Sequence, residues 1–266
     1  MTKKIGFIGC GNMGSAMVGG LINSGFKSAD EIIVSTRTEE SANKISSKFN
    51  VKVTTDNKEV AREADILILA VKPNMYKKVL DEIREDINNK KLMITIAAGI
   101  SIENMEYWLG EGFKIVRTMP NTPALVGEAM SAVCANSNVS EEELNYVFEI
   151  YNSFGKSVEL PEKDFHAFTA LCGSSPAYIF MIIEAMADGA VKLGIPRSKA
   201  YFMAAQSLIG SAKMVLETGK HPGELKDMVC SPAGTTIDAV AVLENKGLRS
   251  SIIEAMDKCA EKSKAM

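Results

Sequence analysis

From Lys4 to Leu160 short apolar runs alternate with stretches of helical period, the pattern of a mostly parallel sheet joined by crossover helices. Residues 4–8, 31–35, 51–54, 66–71, 92–96, 114–117 and 129–135 read as strands, with a shorter one over 157–160. Several are apolar at nearly every position, as strands covered on both faces must be. Beyond Pro161 the period changes, and residues 164–171, 176–193, 198–217, 235–244 and 248–264 read as helices. The expected fold class is α/β, with a sheet domain over 1–162 followed by an all-α domain over 163–266.

The helical half is rich in Ala and Met and short of charge on any face, as in Phe202-Met203-Ala204-Ala205-Gln206-Ser207-Leu208-Ile209. A helix apolar nearly all round must be covered nearly all round. About a hundred residues of helix cannot supply that cover alone, so a homodimer formed through this half is expected.

Composition narrows the partners. The chain has 266 residues, 46% of them hydrophobic, enough for one large or two modest cores. A net charge of −3 with scattered Lys and Arg offers no basic stripe to a phosphate backbone, so no nucleic acid is expected. Five cysteines without a C-x-x-C pair, apart from the only two histidines, His166 and His221, argue against a disulfide framework or a zinc site, and no metal is expected. The first apolar run is interrupted by Gly6 and Gly9, unlike a signal peptide, and the apolar stretch 177–183 stops at Glu184 and Asp188. A cytoplasmic protein that does not enter a membrane is the expectation.

Gly9-Cys10-Gly11-Asn12-Met13-Gly14 directly follows the first strand, which ends at Ile8, and opens a helix over 15–24 that Gly25 terminates. In a dinucleotide-binding turn of this spacing the first glycine makes the tight turn and the second admits the pyrophosphate against bare backbone. The third lets helix and strand approach. The helix start then presents unpaired N–H groups and the positive dipole end to the phosphates. Both flanks favour this reading over a structural glycine turn and make the sheet domain Rossmann-type.

At the end of the second strand NAD-binding chains carry a carboxylate, whereas this sequence has Val34-Ser35-Thr36-Arg37. Hydroxyls and a guanidinium suit a 2′-phosphate, which makes NADP(H) the preferred cofactor and NAD(H) the second, unless Arg37 is only a solvated loop charge. Glu39 and Glu40 read as N-terminal residues of the next helix. Ala70-Val71-Lys72-Pro73 after the fourth strand and Ala97-Ala98-Gly99 after the fifth are expected at the cofactor, because ligands lie beyond the carboxyl ends of parallel strands. Asn57 and Asn121 complete the candidate set, Asn121 either touching the nicotinamide or shaping its Pro-Asn-Thr-Pro turn.

Ser231-Pro232-Ala233-Gly234-Thr235-Thr236 feeds a helix and exposes backbone N–H groups at its start, which is either a seat for a small carboxylate or an ordinary capped turn. His166 reads as a helix residue more readily than as an acid, and Cys172 and Cys230 as small buried thiols.

From end to end the sequence resembles the pyrroline-5-carboxylate reductase family. The matching pieces are the glycine turn, Ala70-Val71-Lys72-Pro73, Arg117-Thr118-Met119-Pro120-Asn121-Thr122-Pro123, Gly173-Ser174-Ser175-Pro176-Ala177-Tyr178 and all of 221–244. One departure is Ala233, where the family commonly has a second glycine and where a methyl group crowds the loop. The resemblance implies NADPH-dependent hydride transfer to the imine carbon of 1-pyrroline-5-carboxylate, giving L-proline in the last step of proline biosynthesis. It implies Thr236 as the catalytic residue, its hydroxyl bonded to the ring nitrogen. Ser231 and the backbone of Gly234, Thr235 and Thr236 would bind the substrate's carboxylate end. It also implies interlocked C-terminal helices in a dimer, sites that take residues from both chains, and further association of dimers. A protonated cyclic imine is already electrophilic, so alignment and exclusion of water suffice without a strong acid.

A β-hydroxyacid dehydrogenase would share the two-domain plan but needs a Lys four residues before an Asn. Here Lys192 is followed at that spacing by Pro196, Lys199 by Met203 and Lys213 by Glu217. A cofactor-sensing protein without chemistry would show a degenerate substrate loop, and 231–236 is intact apart from Ala233.

Overall fold

Apolar runs that cannot face water on either side form the centre of one eight-stranded sheet in the computed structural model, which describes residues 3–265. The strands are β1 (Ile5–Ile8), β2 (Ile32–Ser35), β3 (Lys52–Thr54), β4 (Ile66–Leu69), β5 (Leu92–Thr95), β6 (Lys114–Met119), β7 (Ala129–Ala135) and β8 (Gly155–Glu159). Their order is β3-β2-β1-β4-β5-β6-β7-β8. All eight expected strands form, and every neighbouring pair is parallel except β6 with β7. Residues 120–128, with a 3-10 turn over Thr122–Val126, are too few for the crossover of about a dozen residues that a parallel return needs, so β7 runs back beside β6. β1, β2, β4 and β5 are buried at every position, whereas the edge strands expose Lys52 on β3 and Lys156 and Glu159 on β8.

Six helices cover the sheet: α1 (Asn12–Asn23), α2 (Glu39–Phe49), α3 (Asn57–Glu63), α4 (Tyr76–Ile83), α5 (Ile102–Leu109) and α6 (Glu141–Asn152). Met17 and Leu21 of α1, Ile45 of α2 and Tyr151 of α6 share one core with Phe7, Val34 and Ile94 of the strands. Val60 of α3, Leu80 of α4 and Met105 of α5 share the other with Ile8, Leu67 and Met93. Alternate strand residues thus feed opposite cores, as the period of two requires.

The remaining helices are α7 (Phe165–Phe168), α8 (Ser175–Lys192), α9 (Arg197–Thr218), α10 (Pro222–Val229), α11 (Thr235–Asn245) and α12 (Leu248–Lys264). Two compact units result, Met1–Ser174 with Cys259–Met266, and Ser175–Lys258. The first runs past the expected division at 162 because Phe165 and Phe168 of α7 are buried with Met119 and Ala132 of the sheet. In the second, α8 packs on α9 through small residues, with Ala187, Ala200 and Ala204 buried. Phe180, Met181, Phe202, Met203, Leu216 and Ile253 remain exposed in the single chain.

The helical run Glu162–Lys192 is long and apolar enough, by length and composition, to cross a membrane. By sequence alone the apolar stretch ends at Glu184. The structure joins it to α7 through a turn of π-helix over Thr169–Gly173, and the longer span passes where the short run does not.

Candidate active-site segments

β1 has β2 on one side and β4 on the other, so the winding of the sheet reverses there, and Gly9 leaves from that switch point. Gly9 has φ +86°, and a Cβ on it would stand 2.7 Å from Val71 Cγ1 and 2.9 Å from the Ala70 carbonyl oxygen. A Cβ on Gly14 would come to 3.2 Å from Ala70 Cβ, so the third glycine lets α1 close on the end of β4. Gly11 differs, because a Cβ there meets no atom within 4 Å. Its bareness relieves no contact inside the chain and leaves open backbone, as a pyrophosphate requires.

α1 starts with no side-chain cap and no acidic residue in its first turn. By contrast α2, α3, α5 and α6 are capped by Thr38, Asp56, Ser101 and Ser140. The first amides of α1 and its dipole are thus left unanswered, and these residues fit a dinucleotide. Burial pushes the Cys10 thiol within the turn up to about 12, so it stays protonated.

The neighbouring strand ends are bonded to this turn. The Gly9 amide donates to the Ser35 carbonyl at 3.0 Å and the Ala70 amide to the Ile8 carbonyl at 2.9 Å. Ser35 Oγ donates to Asn57 Oδ1 at 2.7 Å, and Asn57 Nδ2 donates to Glu82 at 3.1 Å, so Asn57 orients Ser35 from α3. Arg37 is exposed and, among the described residues, has no ion-pair partner. Glu40 is held by Lys44 at 2.6 Å and Glu39 accepts from Thr55 Oγ1, so both carboxylates are turned to partners of their own. Lys72 is exposed before a 3-10 turn, Pro73–Met75.

Polar side chains within the apolar sheet escape a reading by hydrophobic pattern, though a Thr within Leu-Met-Ile-Thr signals a buried partner. Tyr76 Oη, fully buried on α4, donates to the Leu69 carbonyl at 2.6 Å and accepts from Thr95 Oγ1 at 2.9 Å. Burial pushes this phenol up to about 12. Thr95 Oγ1 in turn accepts from the Ala97 amide at 3.4 Å. On the other face Thr118 Oγ1 donates to the Thr95 carbonyl at 3.0 Å, which makes Tyr151 Oη the donor in its 2.6 Å bond to Thr118.

Asn121, after β6, is buried and used on both sides: Nδ2 donates to the Cys172 carbonyl at 2.9 Å, and Oδ1 accepts from the Met130 amide at 2.9 Å. Both polar atoms of its side chain are thus bonded within the chain. His166 Nδ1 lies 3.0 Å from Ser263 Oγ, and burial, then Arg117 and Lys264, hold the ring below the usual histidine range. Cys172 and Cys230 are half-buried, and all five cysteines are unpaired.

In the second unit the Gly234 amide donates to the Ser231 carbonyl at 3.0 Å and closes the loop before α11. A Cβ on Gly234 would collide with Ser231 Oγ. α11 has no side-chain cap, so the amides of Thr235 and Thr236 open its first turn without an internal acceptor from the cap. Ala233 has φ +55°, the left-handed region. The methyl group therefore weighs on the loop through its backbone conformation, and glycine is free of that strain. Thr236 is half-buried, whereas Ser231 and Thr235 are exposed.

Two family models match the chain: pyrroline-5-carboxylate reductase dimerisation over residues 162–266, and NADP oxidoreductase coenzyme F420-dependent over residues 4–99. The chain is 51% identical over 266 residues to the pyrroline-5-carboxylate reductase of Escherichia coli (strain K12), covering all of this chain and 99% of that one. It is 39% identical over 263 residues to that of Arabidopsis thaliana, covering 99% and 95%. The crystal structure of Plasmodium falciparum pyrroline carboxylate reductase with NADP bound superposes with a TM-score of 0.90 at 34% identity, covering 99% of this chain and 98% of that one. A sheet with bare glycine at its switch point, followed by a helical unit, is here that of an NAD(P)H-dependent oxidoreductase. Within that class the chain belongs to the pyrroline-5-carboxylate reductase family.

Proposed function

We propose that the protein reduces 1-pyrroline-5-carboxylate to L-proline with NADPH, the closing step of proline biosynthesis. The observation that carries this reading is the open backbone at Gly11 before an uncapped helix, in a chain 51% identical throughout to a pyrroline-5-carboxylate reductase. Ile8, Gly9, Cys10, Gly11, Asn12, Met13 and Gly14 hold the pyrophosphate. Arg37 takes the 2′-phosphate beside Ser35, whose hydroxyl donates to Asn57 behind it, and NAD(H) is the second nicotinamide. Ala70, Val71, Lys72 and Pro73, with Ala97, Ala98 and Gly99, line the nicotinamide end, and Asn121 shapes the turn beyond β6.

Bound NADPH supplies a hydride to the imine carbon. The chain's part is to fix the ring: the amides of Gly234, Thr235 and Thr236 hold the carboxylate with Ser231 beside them, and the Thr236 hydroxyl bonds the ring nitrogen. That nitrogen arrives protonated and keeps its proton as the C=N bond becomes C–N, so no side chain has to deliver one.

The cofactor domain is 1–162, and 163–266 binds substrate and forms the homodimer, with further association of dimers. Exposed Phe180, Met181, Phe202 and Met203 and the apolar run Glu162–Lys192 support a second chain as cover, since the dimerisation match begins at 162. We read that run as an interface within a cytoplasmic protein that binds neither membrane nor nucleic acid.

Purified protein given NADPH and pyrroline-5-carboxylate is expected to consume NADPH and yield proline. Thr236→Ala is expected to lower turnover while leaving NADPH affinity near the wild-type value. No NADPH consumption by the wild type would overturn the reading.

A further inference from the structure

We propose that Tyr76 is a positioning residue for the cofactor: its buried hydroxyl ties the carboxyl ends of β4 and β5 together and thereby fixes the seat of the glycine turn. The inference rests on the reading that this turn binds NADPH.

Tyr76 lies at 0% exposure among Ile8, Leu67, Leu69, Val79, Leu80 and Met93. A phenylalanine would fill that volume without burying a hydroxyl, so the oxygen is what needs a reason. Its bonds fall at one place. Leu69 and Thr95 face each other as the last rung of the parallel β4·β5 ladder, and beyond them the strands separate into the two loops 70–73 and 97–99. Tyr76 Oη donates to the carbonyl of Leu69 and accepts from the hydroxyl of Thr95, which accepts from the amide of Ala97. One chain of three bonds, each with its donor fixed by the next, closes the ladder where backbone bonding stops.

The two residues after Leu69 pack directly on the glycine turn. The space over Gly9 is filled by Val71 Cγ1 and the Ala70 carbonyl, and that over Gly14 by Ala70 Cβ and the Gly9 carbonyl. None of these gaps admits a methyl group without a shift, so the turn has no slack toward β4. Movement of the Leu69 carbonyl passes to Ala70 and Val71, and from them to Gly9 and Gly14. On the β5 side the same chain holds the Ala97 amide at the start of the second cofactor loop.

The test is a fluorescence titration of NADPH onto the whole protein, with hydrogen exchange of the Ala97 amide measured without nucleotide. Tyr76→Phe and Thr95→Val are each expected to raise the NADPH dissociation constant roughly three- to tenfold and to speed exchange at Ala97. The double variant is expected to bind no more weakly than the worse single one, because both cut one chain. Ile83→Val trims the buried face of the same helix and is expected to lower Tm while leaving the dissociation constant alone. A Tyr76→Phe protein within about twofold of wild type, or an Ile83→Val protein equally weakened, overturns the inference. Failure of the wild type to bind NADPH would instead sink the cofactor reading beneath it.

Discussion

The Arg117 guanidinium donates to Glu162 Oε1 at 2.9 Å, and the same oxygen accepts the Ile102 amide at 2.7 Å. Arg117 is buried on β6 and lies 4.7 Å over the Phe165 ring, so one carboxylate oxygen serves a buried cation and the first amide of α5 together.

Glu162→Gln keeps an oxygen for Ile102 but leaves Arg117 without its counter-charge. It is expected to cost about 1–3 kcal/mol of unfolding free energy, less than a fully buried pair because Glu162 is partly exposed. Glu162→Ala should cost more, as it also abandons the amide. Urea unfolding of both proteins measures the difference, and equal losses would assign the whole effect to charge.

The first two glycines of the cofactor turn should separate stability from binding. Gly9→Ala is expected to destabilise by about 2 kcal/mol or more, because it combines a left-handed backbone with contact on the Ala70 carbonyl. Gly11→Ala has open space for its Cβ and should lose only the few tenths to about 1 kcal/mol of a poorer helix start. It should nevertheless bind NADPH about tenfold or more weakly, since the methyl occupies the place of the pyrophosphate. Thermal unfolding and nucleotide titration on the same samples check both statements.

Arg37 stands exposed with no carboxylate partner among the described residues. Arg37→Ala is expected to raise the NADPH Michaelis constant about tenfold, the worth of a charge-assisted bond, with little change for NADH. An unaltered preference between the two nucleotides would return Arg37 to the role of a solvated charge.

Ala233→Gly relieves a left-handed alanine, worth about 1–2 kcal/mol, against about 0.4–1 kcal/mol of added freedom in the unfolded chain. The strain term is larger, so a net gain of roughly 0.5–1 kcal/mol is expected. A rise in Tm for the variant is the check, and a fall would mean that the loop does not hold this conformation.

Glu31 is held down to about 2 from an ordinary 4.5, first by its bond to Lys27 and then by Ser28. A carboxyl depressed in the folded state adds stability that is complete above about 4.5 and drains away as pH falls toward 2. Glu31→Gln should therefore flatten the fall of the urea midpoint across that window. Above it, the variant should be uniformly less stable.

The strands are legible in sequence because β1, β2, β4 and β5 are apolar at nearly every position, and the glycine turn because its neighbours on both sides obey the same plan. The reversal of β7 rests on the shortness of 120–128, a length to which residue pattern is blind. Long-range polar bonding is hidden too. Nothing near Tyr76 in sequence points to Thr95, and nothing near Asn121 points to Cys172, since each partner is brought up by the fold. Ala233 stands out in sequence as a departure from the family, but its cost lies in a φ angle that composition does not carry.

The rims of the sheet set how copies of the molecule can meet. A foreign strand approaching β3 encounters Lys52, already paired with Glu59 at 2.8 Å, and one approaching β8 encounters the exposed Lys156 and Glu159. Inserting there would strip water from charge for little return, so growth by β-pairing is discouraged at both ends. At high concentration the molecule should thus add helix to helix and leave its sheet at eight strands.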